Sequence, residues 1–212
     1  MVMRKKEKNI HYSVSYTAGA LLFEESEAVI NSIDQIEKIS SPDFQIDKKI
    51  LSTNSETSRK RISTELKKRF VAVKEIEVWK YYRIAKEQEK RIILFYALCK
   101  AYPILLDFMT EVVLLKWRNL DKELSKEEFL NFIYRKFDSH PELDKYSENT
   151  LNKVATRSIR ILKEVGILNN GILKKPYHDL GVWSLFNEIG EAWFLEIMFL
   201  SEMERKKLLN QL

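Results

Sequence analysis

The sequence predicts a mainly α-helical protein, on three observations. Gly and Pro together make nine of 212 residues, about 4% where an average chain has roughly 12%, so the frequent turn signals of a β-sandwich or barrel are missing. Apolar residues recur at helical spacing along almost the whole chain. One stretch breaks that rhythm: Ile167-Leu168-Asn169-Asn170-Gly171-Ile172-Leu173 sets two apolar pairs around Asn-Asn-Gly and reads as a β-hairpin. The expected architecture is a helical N-terminal domain, then a winged helix-turn-helix with one small β-hairpin, then a long C-terminal helix.

In chain order, residues 1–15 open as a basic flexible tail, MVMRKKEKNIH being charged and without period. The N-terminal helical domain covers 16–122. Its first helix follows Thr17, with Leu21, Leu22, Ala28, Val29 and Ile33 inward and Glu24, Glu25 and Glu27 on a solvated face. Pro42 is expected to open a short helix, and the polar break at 52–58 supplies the N-cap of the next, whose stripe is Ile62, Leu66, Phe70 and Val73. A helix spans 74–86, and a longer run spans 87–118, which Pro103 must kink or split. The winged helix-turn-helix covers 123–178. Ser125 and Glu128 form a capping box ahead of Phe129, Phe132, Ile133 and Phe137. A short helical piece follows His140-Pro141, and a well-capped helix over 149–165 ends at Gly166, a natural left-handed stop. Residues 179–212 form the C-terminal helix, too apolar for a lone outward helix, and are expected to pack back on the core.

Several function classes drop out. Glycines at 19, 166, 171, 181 and 190 allow no dinucleotide-binding fingerprint, and Gly166-x-x-x-x-Gly171 is followed by Ile172 where a phosphate loop needs Lys. Cys99 sits alone in an apolar run, which rules out a disulfide framework and suits a reducing, cytoplasmic setting. The longest apolar stretches, near 92–99 and 193–200, are too short to span a membrane. His11, His140 and His178 are scattered, so neither a metal site nor a Cys-His pair is formed. Pro42-Asp43 with Asp47-Lys48-Lys49 matches a nuclease spacing, but the carboxylates would need neighbouring strands that this segment lacks. A non-enzymatic binding protein without cofactor is expected.

Charge says what it binds. The net charge is +5, yet residues 59–70 and 149–175 each carry +5, leaving the other 173 residues at −5. Such concentration suits a polyanion. On a 3.6-residue repeat the helix at 149–165 buries Leu151, Val154, Ala155, Ser158, Ile161, Leu162 and Val165. Its opposite face shows Asn149, Asn152, Lys153, Thr156, Arg157, Arg160 and Lys163, with no carboxylate before Glu164. Asn and Arg meet base edges in a major groove while Lys and Thr hold phosphates. Asn169, Asn170, Lys174 and Lys175 would form the wing. Arg59, Lys60, Arg61, Lys67, Lys68 and Arg69 offer either a second phosphate contact or a solvated face, and Arg61 or Arg69 is open to pairing with an acid such as Glu24 or Glu25. Double-stranded DNA is the leading partner.

The residues also resemble a known family. Tyr16-Thr17-Ala18-Gly19-Ala20-Leu21-Leu22 with Glu24-Glu25-Ser26, Thr57 with Arg61, Arg69-Phe70, and Phe95-Tyr96-Ala97-Leu98-Cys99-Lys100 before Phe108 are similar to the BrxA family of BREX phage-exclusion systems. Phe129 to Phe132, Ser147 to Leu151 and Ile161 to Leu168 continue the likeness, which covers about residues 16 to 173. The resemblance implies a helical, non-enzymatic DNA-binding component of a bacterial defence locus that tells self from phage DNA by methylation. It also implies a fold NusB-like in part, which keeps RNA open as a ligand. Scaffolding of other BREX proteins is the alternative role.

Overall fold

The computed structural model describes residues 11–53, 55–176 and 180–209. Residues 1–10 of the basic tail, Asn54 in the polar break and His178 lie outside the described residues. From Tyr12 onward the chain is part of the core, so residues 12–15 do not belong to a flexible tail. Tyr12 and Val14 are buried. The Tyr12 backbone N–H donates to Glu142 (2.6 Å), its hydroxyl donates to Asp107, and its ring stacks on His140 at 3.7 Å.

A 3₁₀ turn at Ser15–Ala18 precedes α1 (Phe23–Asn31), which starts later than the Thr17 cap suggested, because Gly19 is extended and Leu22 takes a left-handed conformation. The helix expected at Pro42 does not form. Short 3₁₀ turns at Ile36–Ser40 and Lys48–Ile50 flank an irregular segment there, held where Ser40 Oγ donates to the Val73 carbonyl (2.6 Å). Asp47 spends its carboxylate on the Lys49 N–H (2.9 Å), and no strand lies nearby.

Helix α2 (Glu56–Ala72) begins at Ser55, whose hydroxyl accepts the Ser58 N–H. α3 (Ile76–Ile84) and α4 (Glu87–Ala101) follow. Pro103 lacks the N–H needed to continue α4, so the chain turns by 109° into α5 (Pro103–Phe108), a π-helical turn (Met109–Val113) and α6 (Leu114–Arg118). No single helix among the described residues is long and apolar enough to cross a membrane.

The capping box of Ser125 and Glu128 opens α7 (Lys126–Lys136), with the Ser125 N–H donated to Glu128 at 2.9 Å. After a 3₁₀ turn (Pro141–Leu143) comes α8 (Glu148–Val165), capped by Ser147 and stopped by Gly166 at φ +84°. The hairpin β1 (Leu168–Asn169) and β2 (Ile172–Leu173) pairs Leu168 with Leu173. Its turn has both central residues left-handed, Asn170 at φ +50° and Gly171 at φ +79°, the type I′ geometry that matches strand twist. The connector 122–124 joins it: the Leu124 N–H donates to the Gly171 carbonyl (2.8 Å) and the Leu173 N–H to that of Lys122 (2.7 Å).

The single long C-terminal helix is broken into α9 (Leu180–Glu188), α10 (Ala192–Ile197) and α11 (Glu202–Leu209). The breaks fall at Gly190 and Phe199, both left-handed. They let the apolar run fold inward instead of projecting. Phe186, Trp193 and Phe194 surround Tyr96 of α4 at ring separations of 4.8 to 5.8 Å, and Phe199 stacks on Trp117 at 4.3 Å. One continuous apolar core takes in side chains from Tyr12 to Leu208.

Candidate nucleic-acid interface

The expected stripe of α8 is the buried one: Leu151, Val154, Ala155, Ser158, Ile161, Leu162 and Val165 all face the core. Its polar face is therefore outward, and α7 packs beside it. Two polar ties fix the helix in rotation. Ser158 Oγ donates to the Val154 carbonyl and lies 2.8 Å from the buried Tyr16 hydroxyl. Glu164 accepts the Leu21 N–H with one oxygen (2.9 Å) and Arg160 Nε with the other (2.7 Å).

Against this face lies an open groove of about 630 Å³, lined by Arg61, Lys126, Thr150, Asn152, Lys153, Thr156, Arg157 and Arg160. The lining holds five cations and no carboxylate. Lys153 and Arg157 have no ion-pair partner among the described residues, and neither has Arg61. Arg160 is shared with Glu164, which holds its guanidinium at the end of the groove. Hydroxyls of Thr150 and Thr156 and the Asn152 amide fill the spaces between charges. Thr156 back-bonds to the Asn152 carbonyl (2.9 Å), and the Asn152 amide donates to that of Glu148 (3.1 Å). With no ion-pair partner among the described residues, Arg61, Lys153 and Arg157 can meet an anion without first giving up an internal one.

The other expected site residues fall into three groups. Asn149 and Lys163 on α8 and Asn169, Asn170 and Lys174 on the hairpin are exposed but outside the groove. Lys175 is tied up: it pairs with Glu204 of α11, and that hydrogen bond holds the Glu204 carboxyl down at about 2. Of the 59–69 cluster, only Arg61 reaches the groove. Arg59 braces the start of α2, donating to the Thr53 carbonyl (3.1 Å) and lying 3.4 Å from Glu56. Lys60 and Lys67 are elsewhere on the helix. The Lys68 ammonium sits 3.8 Å over the Tyr102 ring, and burial pushes its pKa down.

Arg69 is a correction. It is 1% exposed and cannot touch nucleic acid. Its guanidinium meets buried Glu65 at 2.7 Å and donates to the carbonyls of Ala20 (3.0 Å) and Leu21 (2.9 Å). It pairs with Glu65 rather than with Glu24 or Glu25, because the turn at 19–22 presents two carbonyls that no helix satisfies.

Lys126 was missed. It stands in Ser-Lys-Glu-Glu, where neighbouring acids cancel its charge in any running sum, and only the packing of α7 on α8 carries it to the groove. The described residues contain no group of three or more His, Cys, Asp or Glu side chains placed to hold a metal.

The BrxA family profile matches residues 10–190. The chain belongs to the BrxA family. A BREX protein BrxA from Escherichia coli O9:H4 (strain HS) is 26% identical over 120 residues, 57% of this chain and 56% of that relative, so the aligned stretch spans little more than half of its length. An uncharacterized protein from Magnetospirillum magneticum has a crystal structure of the same fold, with a TM-score of 0.69 and 21% identity, covering 91% of this chain and 100% of that one. The BrxA match takes in α8, the hairpin and every residue lining the groove.

Proposed function

We propose that this BrxA-family chain is a double-stranded DNA-binding component of a BREX phage-defence system. The observation that carries the reading is the carboxylate-free groove, in which α8 and two other helices gather five cations. The order α7, 3₁₀ turn, α8 and hairpin supports a winged helix-turn-helix use of that face, with Lys174 and the Asn170-Gly171 turn as wing. Binding of this kind is led by phosphate contacts. With five groove cations joined by Lys163 and Lys174, affinity falls on the order of a thousandfold between 50 and 200 mM salt.

The ring systems favour duplex over single strand. Proteins that hold single strands stack bases on exposed aromatics, and no aromatic residue lines this groove. Fluorescence anisotropy with a labelled duplex, competed by unlabelled duplex, single strand and structured RNA, tests the proposal. Duplex competes best if it is right. Absence of duplex binding, or displacement by RNA ahead of duplex, refutes it. Co-purification with another BREX protein alongside indifference to nucleic acid would instead support a scaffolding role.

A further inference from the structure

We propose that the groove clamps the backbone of one strand, with Arg61 of α2 and Lys126 of α7 contacting phosphates on equal terms with Lys153 and Arg157 of α8. The proposal rests on the duplex-binding reading above and says which part of the duplex the groove takes and which helices hold it.

Size comes first. A groove of about 630 Å³ matches the range that encloses a small molecule, roughly 300–1,000 Å³. A duplex is far larger, so what enters is a ridge of it, and the phosphodiester backbone is the ridge that a cationic lining recognises. Length agrees. From Thr150 to Arg160 the helix advances about 15 Å at ~1.5 Å per residue. That length takes more than one phosphate of a strand laid along the groove. Five cations line it, and one of them, Arg160, is already paired with Glu164.

The chemistry of the lining also fits a backbone. Besides the cations it offers the Thr150 hydroxyl and the second N–H of the Asn152 amide, groups that reach phosphate oxygens as readily as bases. Arg61 and Lys126 come from two helices, α2 and α7, that both precede α8 in sequence, and both side chains are exposed. Lys126 has only a loose partner, Glu127 at 3.9 Å. Contacts from three helices to one backbone carry no sequence information, so their loss weakens every duplex alike.

The test is the slope of log affinity against log salt concentration for the full chain, on two duplexes of unrelated sequence. Arg61→Ala and Lys126→Ala each lower the slope by about 0.9 and together by about 1.8, equally on both duplexes. Arg61→Lys keeps the slope, and Lys60→Ala, one residue away but outside the groove, leaves it unchanged. All these positions are exposed, so the variants fold. If Arg61→Ala and Lys126→Ala bind with the parental slope while Lys153→Ala with Arg157→Ala does not, the clamp is wrong and duplex binding stands. A slope lowered as much by Lys60→Ala also overturns the clamp, since a general field then explains the effect. If the parent shows no salt-dependent duplex binding, the functional reading fails and the clamp with it.

Discussion

Arg69→Ala separates the two uses that this chain makes of arginine. In the structure Arg69 holds buried Glu65, which is 6% exposed, and satisfies the carbonyls of Ala20 and Leu21. Truncation leaves the Glu65 carboxylate with one hydrogen bond, from the Tyr102 hydroxyl, and the more distant charge of Lys68. Burial, and then the Glu65 charge, push that phenol far above its ordinary range, so it stays a proton donor but cannot neutralise the carboxylate. Breaking a buried pair in this way costs about 3–5 kcal/mol. For a chain of this size each kcal/mol moves Tm by about 2–4 °C, so thermal unfolding followed by circular dichroism should show a loss near 10 °C. Replacing both partners, Glu65→Leu with Arg69→Met, removes the stranded charge and leaves only the two carbonyls unpaired, at about 1–3 kcal/mol each. Duplex affinity below the transition stays at the parental value. An unchanged Tm with weakened DNA binding would refute the assignment of Arg69 to the core.

Three other outcomes follow from the same geometry. Glu204 titrates at about 2 in the fold against an ordinary 4.5, chiefly through its hydrogen bond from Lys175, so its contribution is complete above pH 4.5 and is lost as pH falls toward 2. With its side chain 48% exposed, solvent screening reduces that contribution to about 1 kcal/mol; Glu204→Gln should lose this in urea unfolding at pH 7 and nothing at pH 2, and an equal loss at both would disprove the pair. Cys99 is buried and its thiol pKa is raised by burial, so a thiol reagent should label it only after denaturation; rapid labelling of the native chain would contradict its placement. Gly166→Ala puts a Cβ into open space but at φ +84°, so about 1 kcal/mol of backbone strain is the whole cost, and an unmoved urea midpoint would mean that α8 does not end there.

Local sequence made α8 legible because seven buried residues repeat at helical spacing between a serine cap and a glycine stop, all within one element. The hairpin was legible for a similar reason: Asn-Gly fixes the sign of φ by itself. The C-terminal breaks were not. Phe199 is a bulky residue in a left-handed conformation, held by its stack on Trp117, a partner some eighty positions away. The same limit governs the site. Arg61 and Arg69 lie eight apart in one basic run, and composition treats them alike, yet one opens onto the groove and the other closes a turn in the core. What separates them is the placement of residues 19–22 against α2. Lys126 and Tyr12 were invisible for the complementary reason, each being assigned by its neighbours in sequence, acids for one and a charged tail for the other, rather than by those in space.

Whether the outward face of α8 binds duplex DNA through charge is decided by Lys153→Glu with Arg157→Glu. Both cations line the groove, and neither has an ion-pair partner among the described residues, so reversing them leaves the core untouched and turns two attractions into repulsions. Duplex affinity measured from 50 to 200 mM salt should fall steeply for the parent, on the order of a thousandfold. The double variant, with its melting temperature unchanged, should show no measurable binding over that range. Parental affinity in the folded double variant would mean that this face of α8 does not bind duplex DNA.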